Sequence, residues 1–422
     1  MDTLFSHVSI VTMDDRMSVW TDSFLGVTDG KISYLGKKAP EEQPQTIIDG
    51  SGMVLMPGLI NCHTHLPMTI LRGYADDLKL QEWLNDYIFP REAHLDDRAV
   101  KAAAQLAIAE CLRFGVTSVS DMYDHCDAIC QAVAESGIKA NISRGMTMFL
   151  GDEFDFEKFP ACQELVALRD KWQGYDNGRI KIEASVHAEY TSTYQLWDAL
   201  AEFAINEKLG MQVHLSETKR EHDECVEKYG LTPAQLLDCH HLFDVPTVAA
   251  HCVWLTEEDM RLLAKRHVSA AHCPVSNLKL ASGCADVLGM VKAGMNVCLG
   301  TDSVASNNNL DLFEEIKKAL NGKVKEVKVN PTLQEHPVTL SSEGGISMEM
   351  EKVLRKMPGS GDVESTKVLE LNPNHTVFAA LKAAHEAGDT AKVDQYAELL
   401  YDQSLLIAGL PIEDPVAYAH LV

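Results

Sequence analysis

His63-Thr64-His65 sets two imidazoles two positions apart. Residues i and i+2 of an extended strand share a face, so both rings can meet one metal ion. Neutral imidazole suits zinc, and a catalytic zinc takes about three or four protein ligands while keeping one position for water. A lone His-x-His is weak, because histidines also serve as hydrogen-bonding groups in cores and on surfaces. Further residues of the same chemistry recur along the chain: Asp121, Arg144, His187, His214 with Glu217 three positions on, His251, His272 and Asp302. His214 and Asp302 would complete a set of four ligands.

These residues need elements that bring them together, and the sequence supplies a regular alternation. Eight strand candidates can be read in order: Val54 to Ile60, Val116 to Asp121, Ala140 to Arg144, Ile180 to Val186, Met211 to Leu215, Thr247 to Ala250, Val268 to His272 and Val297 to Gly300. Helical stretches such as Asp97 to Phe114 and Glu257 to Arg266 fall between them, with apolar residues every three to four positions. Strands alternating with helices predict parallel βα units, and eight predict a closed (β/α)8 barrel. Active-site groups of such a barrel sit at the carboxyl ends of the strands, where each of the residues above falls. Histidines scattered through a core would have no reason to recur at one edge of successive strands.

Before the barrel, short apolar stretches (Val8 to Val11, Phe24 to Thr28, Lys31 to Leu35) broken by Asp29-Gly30 and Asp49-Gly50 predict a small β element. Beyond about Phe313 the chain turns into a charged helical stretch, an extended Val324 to Val329 and a mixed segment with loops at Gly344-Gly345 and Pro358-Gly359-Ser360-Gly361. The expected α/β organisation is therefore a β element over 1–53, a barrel over 54–315 and an α+β domain over 320–422.

Composition narrows the function classes. The 422 residues carry a formal charge of −25, which opposes binding to nucleic acid and favours a small-molecule substrate. No segment reads as membrane-spanning or as a secretory signal, and the 11 cysteines form no Cys-x-x-Cys pair, so free thiols in a reducing cytoplasm are expected.

The frame Pro57-Gly58-Leu59-Ile60-Asn61-Cys62-His63-Thr64-His65, with His214-Leu215-Ser216-Glu217, Ala250-His251 and Gly300-Thr301-Asp302-Ser303, resembles the amidohydrolase superfamily. Residues 1–315 most resemble its 5-methylthioadenosine/S-adenosylhomocysteine deaminases and their chlorohydrolase relatives. That resemblance implies one Zn2+ per chain, with iron the alternative, on His63, His65, His214 and Asp302. It also implies Glu217 as proton shuttle, His251 as the histidine that orients the attacking water, and Asp302 as the group that accepts the water's proton. The fourth strand end, Val186-His187-Ala188, lacks the lysine that bridges two metals in other members, which favours a single metal. Substrate contacts are implied for Glu92, Arg144, His187 and Glu217, with Glu92 accepting from both ribose hydroxyls of a nucleoside.

Blander roles stand beside several of these. Glu92 also fits a helix-start carboxylate, Arg144 a rim ion pair, and His272 and Asp121 structural hydrogen-bonding groups. Cys62 fits packing on the face opposite the ligands. Met68, Leu71, Trp83 and Leu84 fit either an apolar wall of the site or ordinary core.

The last hundred residues depart from the deaminase pattern. Lys323 to Val327, His336-Pro337-Val338, Leu369 to His375 and Leu399 to Leu406 resemble the C-terminal dimerisation domain of HtpG-type chaperones. That resemblance implies a small sheet with flanking helices and a homodimer, whereas the barrel's final helix and the strands that would return to the N-terminal element are expected to be missing. The expected function is deamination of an adenosine-type nucleoside. The alternatives are a guanine, cytosine or triazine aminohydrolase or chlorohydrolase, and an inactive chimera that only self-associates through its tail.

Overall fold

Short runs of β-branched and small apolar residues separated by amphipathic segments fold into eight parallel strands. They span Leu59–Thr64, Val116–Tyr123, Lys139–Arg144, Ile180–Val186, Met211–Leu215, Thr247–His251, Ser269–His272 and Asn296–Leu299, hydrogen-bonded in sequence order. The computed structural model describes residues 1–319 except 15, 17, 76, 77, 150 and 152, together with 326–329, 338–342, 367–371, 399–401 and 403–405. The chain divides into two compact units, Leu59–Gly322 and Met1–Gly58 with Lys323–Val422.

The barrel unit is buried on both faces of its sheet, as parallel strands covered by helices require; every residue of Met211–Leu215 is buried. Its helices follow from local rules. Asp97–Arg113 is capped by Asp96, whose carboxylate accepts from Ala99 N at 2.8 Å, and it turns Val100, Ala104, Ala107, Ile108 and Cys111 inward. Lys219–Tyr229 begins with a Thr218/Glu221 capping box and ends at Gly230 in the left-handed region.

Closure between the eighth and first strands is made beyond the regular ladder. Thr64 bridges Asp302 in parallel, and Asp302 N donates to His63 O at 3.0 Å. The Asn61 amide exchanges hydrogen bonds with Thr301, at 2.7 Å to its hydroxyl and 2.9 Å from its N–H. Gly300 passes so close that a Cβ there would lie 2.8 Å from His63 Cβ. A side chain at position 300 would push the first strand away.

Two expectations change. The stretch Val54 to Ile60 is not one strand: Val54–Leu55 pairs with Thr3–Val11, and the barrel strand begins at Leu59. Pro57 explains the break, since it lacks a ladder N–H and restricts the residue before it. Second, helices do follow the eighth strand, over Val304–Asn307 and Leu312–Ala319, with Leu310 and Leu312 in the barrel core. The eighth strand is nevertheless the less covered one, Asn296 being exposed and Val297, Cys298 and Leu299 half-buried.

In the other unit, Thr3–Val11, Val19–Thr28, Lys31–Gly36, Thr46–Asp49 and Val54–Leu55 form a five-stranded mixed sheet around Val8, Ile10 and Leu25. Asp29-Gly30 makes the expected two-residue hairpin turn, both residues having positive φ. Glu326–Val329, Lys367–Leu371 and Val338–Ser342 form a three-stranded mixed sheet. The loops expected at Gly344-Gly345 and Pro358 to Gly361, and most of the final helices, lie outside the described residues.

One buried acid in the barrel makes stability depend on pH. Glu183 Oε1 accepts from Asn141 Nδ2 at 2.7 Å and Oε2 from Gln212 Nε2 at 2.8 Å; burial pushes its pKa up to about 7 against the opposing effect of those amides. The folded state therefore holds this proton more tightly than the unfolded chain, whose carboxyl titrates near 4.5. Stability from this group is present below about pH 4.5 and is lost as pH rises through about 7. Thermal melts of Glu183→Gln and the parent at pH 5 and pH 8 should show the difference moving in the variant's favour at pH 8. A difference independent of pH would contradict this.

Candidate metal centre and active site

The first strand delivers His63 within its last turn of ladder and His65 just beyond it. His65 Nδ1 donates to Met122 O on the second strand, and His214 Nδ1 donates to His187 O at 2.7 Å. With Nδ1 engaged by a carbonyl, the neutral form of each ring carries its lone pair on Nε2. The two Nε2 atoms lie 3.3 Å apart, and that of buried His63 has no hydrogen-bond partner among the described residues. Asp302 Oδ1 is 3.5 Å from His63 Nε2 and 3.2 Å from His65 Nε2, while Oδ2 accepts from Ser276 Oγ at 2.6 Å and Ser306 Oγ at 2.9 Å. The ligand atoms of His63, His65 and His214 lie within 4.8 Å of one another, as do those of His63, His251 and Asp302.

Such convergence has an electrostatic signature. Burial lowers the His63 pKa to about 4, and burial with neighbouring imidazoles holds His214 well below the usual histidine range. Burial would raise the Asp302 pKa, yet the His63 and His65 imidazoles beside it hold it well below the usual carboxylate range. For His65 burial acts downward, but the Asp302 carboxylate prevails and lifts it to about 9. One anion and several inward-facing nitrogens form a site that attracts a cation, and the N and O donor set suits a divalent transition metal.

Glu217 is buried beside this cluster, and burial raises its pKa. Its Oε1 accepts from Ser282 Oγ at 3.0 Å, and its Oε2 lies 3.6 Å from His251 Nε2. The loop that carries it is pinned by Glu221, whose carboxylate accepts from the N–H groups of Ser216, Glu217 and Thr218 at 2.7, 2.8 and 3.3 Å. Ser216, His251 and Asp302 all have positive φ, backbone strain that these surrounding bonds sustain.

A cavity of about 480 Å3 opens over the cluster. His65, His214, Glu217, His251 and Asp302 form its floor together with Glu92, Tyr123, Arg144 and His187, and Met68, Trp83, Leu84, Ile88 and Phe89 form an apolar wall. Glu92 sits at the end of a short helix, Phe89–Glu92, and burial raises its pKa against the effect of a Tyr123 hydrogen bond. Arg144 reaches the cavity but is also ion-paired, through Nε to Glu164 at 2.9 Å and through Nη1 to Asp124. His187 keeps Nδ1 on Thr191 Oγ1 at 3.0 Å, and burial lowers its pKa to about 3.

Other candidates fall away from the cavity. Asp121 accepts from Thr64 Oγ1 at 2.9 Å and Leu66 N at 2.6 Å, so it braces the His63–His65 segment from behind. His272 is buried but does not line the cavity, Leu71 belongs to the core, and Cys62 is outside the metal-ligating groups. Sequence reasoning missed Tyr123, Ser276, Asn277, Ser282 and Ser306. Hydroxyl and amide residues are common in any turn, and the available signal was position: Tyr123 ends the second strand and the other four follow the seventh and eighth.

Residues 54–334 match the Amidohydrolase family, and residues 301–422 match the family described as Hsp90 protein. The chain is 40% identical over 318 residues to a 5'-deoxyadenosine deaminase of Methanosarcina acetivorans, covering 75% of this chain and 73% of that protein. It is 37% identical over 401 residues to a 5-methylthioadenosine/S-adenosylhomocysteine deaminase of Caldanaerobacter subterraneus, covering 93% and 91%. A crystal structure of an adenosine deaminase from Xanthomonas campestris with bound zinc superposes with a TM-score of 0.70 at 33% identity, over 75% of this chain and 73% of that one. The chain belongs to the amidohydrolase family. Its histidine cluster is the metal-binding site of a metal-dependent enzyme of that family.

Proposed function

We propose that this protein is a zinc-dependent deaminase that replaces the exocyclic amino group of an adenosine-type nucleoside by oxygen and releases ammonia. The observation that carries the reading is the joining of an inward-facing imidazole set and Asp302 to the buried acid Glu217 on the floor of one cavity. His63, His65, His214 and Asp302 would hold the zinc, which lowers the pKa of water from about 16 toward about 7.

The protein's own groups then divide the remaining work. Asp302 accepts a proton from the attacking water. Glu217, whose pKa burial raises, donates a proton to the ring nitrogen beside the amino-bearing carbon and makes that carbon electrophilic. His251 accepts a hydrogen bond from the attacking water and orients it toward that carbon. Return of a proton to the amino group lets ammonia leave and the ring carbonyl form. Glu92 is assigned to the ribose hydroxyls, Arg144 and His187 to further polar contacts, and the wall of Met68, Trp83 and Leu84 to the 5'-substituent.

Ammonia release should be measured with adenosine, 5'-deoxyadenosine, 5-methylthioadenosine, S-adenosylhomocysteine, guanine, cytosine and a chlorotriazine. Turnover of at least one adenosine derivative, well above that of the others, is expected. Turnover confined to guanine, cytosine or the triazine would overturn the substrate assignment, and none at all would favour a protein that only self-associates.

The same reading covers the rest of the chain. We assign 1–53 to a β element, 54–315 to the catalytic barrel and 320–422 to a chaperone-like α+β domain through which two chains pair. No helix among the described residues is long and apolar enough to cross a membrane, and the 11 cysteines are free, in keeping with a cytoplasmic protein.

A further inference from the structure

We infer that Asn277 and Ser282, neither of which has an obvious chemical role, are positioning residues that fix which nitrogen of His251 and which oxygen of Glu217 carry the working protons. The inference rests on the assignment of Glu217 as proton shuttle.

Both residues are buried, Asn277 at 1% and Ser282 at 3% exposure, and both lie on the segment that follows the seventh strand. Asn277 Oδ1 is 2.8 Å from His251 Nδ1. An amide oxygen can only accept, so the imidazole proton is on Nδ1 and Nε2 is left with its lone pair. That Nε2 lies 3.6 Å from Glu217 Oε2. On the other side, Ser282 Oγ donates to Glu217 Oε1 at 3.0 Å. An oxygen that accepts this bond is the carbonyl-like one, so the acid proton belongs on Oε2, the oxygen that faces His251. Together the two contacts leave Glu217 with one deliverable proton in one place.

The segment is rigid enough to hold that arrangement. Ser282 N donates to Asn277 O at 2.8 Å, and Trp254 Nε1 donates to Ser282 O at 2.7 Å. Trp254 N and Val253 N in turn donate to Ser216 O at 2.9 and 3.1 Å, beside Glu217 itself. Gly283 has φ +128°, and a Cβ there would sit 3.0 Å from Val253 Cγ1. The turn therefore closes tightly against the residues that follow His251, and the supports of His251 and Glu217 form one connected brace.

The test uses the full-length zinc-loaded protein. Ser282→Ala should lower kcat for an adenosine derivative by about tenfold to a hundredfold, with KM changed less than about threefold and zinc content unchanged. A purely structural role would instead lower the active fraction and leave kcat per zinc-bearing chain as it was, and that result would overturn the assignment for Ser282. Independently of activity, 15N spectra of the histidines should show His251 protonated on Nδ1 in the parent protein and redistributed between nitrogens in Asn277→Ala. A parent His251 protonated on Nε2 would overturn the assignment for Asn277. If the parent releases no ammonia from any nucleoside, the proposed function fails, whereas the spectrum still decides the position of the proton.

Discussion

Glu217→Gln is expected to lower ammonia release by about 10²- to 10⁴-fold while leaving the metal content of the protein unchanged. The amide matches the carboxyl in size and can still accept from Ser282, which donates to Oε1 at 3.0 Å. It cannot give up a proton as an acid at neutral pH. Glu217 lies outside the groups that could hold a metal, so the ligand set remains intact. Because the lost interaction exists only as the ring nitrogen is protonated, kcat and kcat/KM should fall together. The Glu221 carboxylate accepts from the backbone N–H groups of this loop and not from the Glu217 side chain, so the substitution leaves those bonds intact. Turnover near that of the parent protein would show that the proton comes from elsewhere.

An effect of at least equal size is expected when a ligand is taken away. His214→Ala removes an imidazole whose Nε2 lies 3.3 Å from that of His65 and whose Nδ1 is fixed at 2.7 Å on His187 O. Changing only outer-shell partners of a metal ligand costs about 10- to 100-fold in affinity, so loss of the ligand itself should exceed about a hundredfold. Without the ion, hydroxide at neutral pH is scarce, and turnover should drop below detection. Titration of chelator-treated parent and variant with zinc checks both halves. The parent should recover activity at one equivalent, and the variant should remain silent. A variant that binds zinc as tightly as the parent would remove His214 from the metal site.

Much of this barrel could be read from residue order because its signals are local and repeated. Seven of the eight predicted strands coincide with observed ones to within about two residues at either end, since runs such as Met211–Leu215 are both apolar and bounded by turn residues. The first was misplaced because Val54, Leu55, Leu59 and Ile60 look continuous in hydrophobicity, whereas Pro57-Gly58 hands the chain from one sheet to another. The ligand candidates were legible because catalytic groups of a parallel barrel must lie at strand ends, and so few residue types can ligate zinc.

Their supports were not legible. Nothing local says that Ser276 and Ser306 will meet on one oxygen of Asp302, 26 and 4 positions away, or that Asn277 will turn its amide toward His251. These contacts depend on how three loops pack, and a hydroxyl or amide has many possible partners. Arg144 shows the converse: from its sequence position a rim ion pair and a place in the cavity are alternatives, and the structure gives it both.

The claim on which the rest depends is that one metal ion is shared by side chains from the first, fifth and eighth strand ends. Diffraction from zinc-soaked crystals, recorded on either side of the zinc absorption edge, tests it directly. The account predicts a single anomalous peak per barrel at about 2.0–2.2 Å from Nε2 of His63, His65 and His214 and from a carboxylate oxygen of Asp302. A peak bound elsewhere, or an ordered site that holds no ion at saturating zinc, would contradict it.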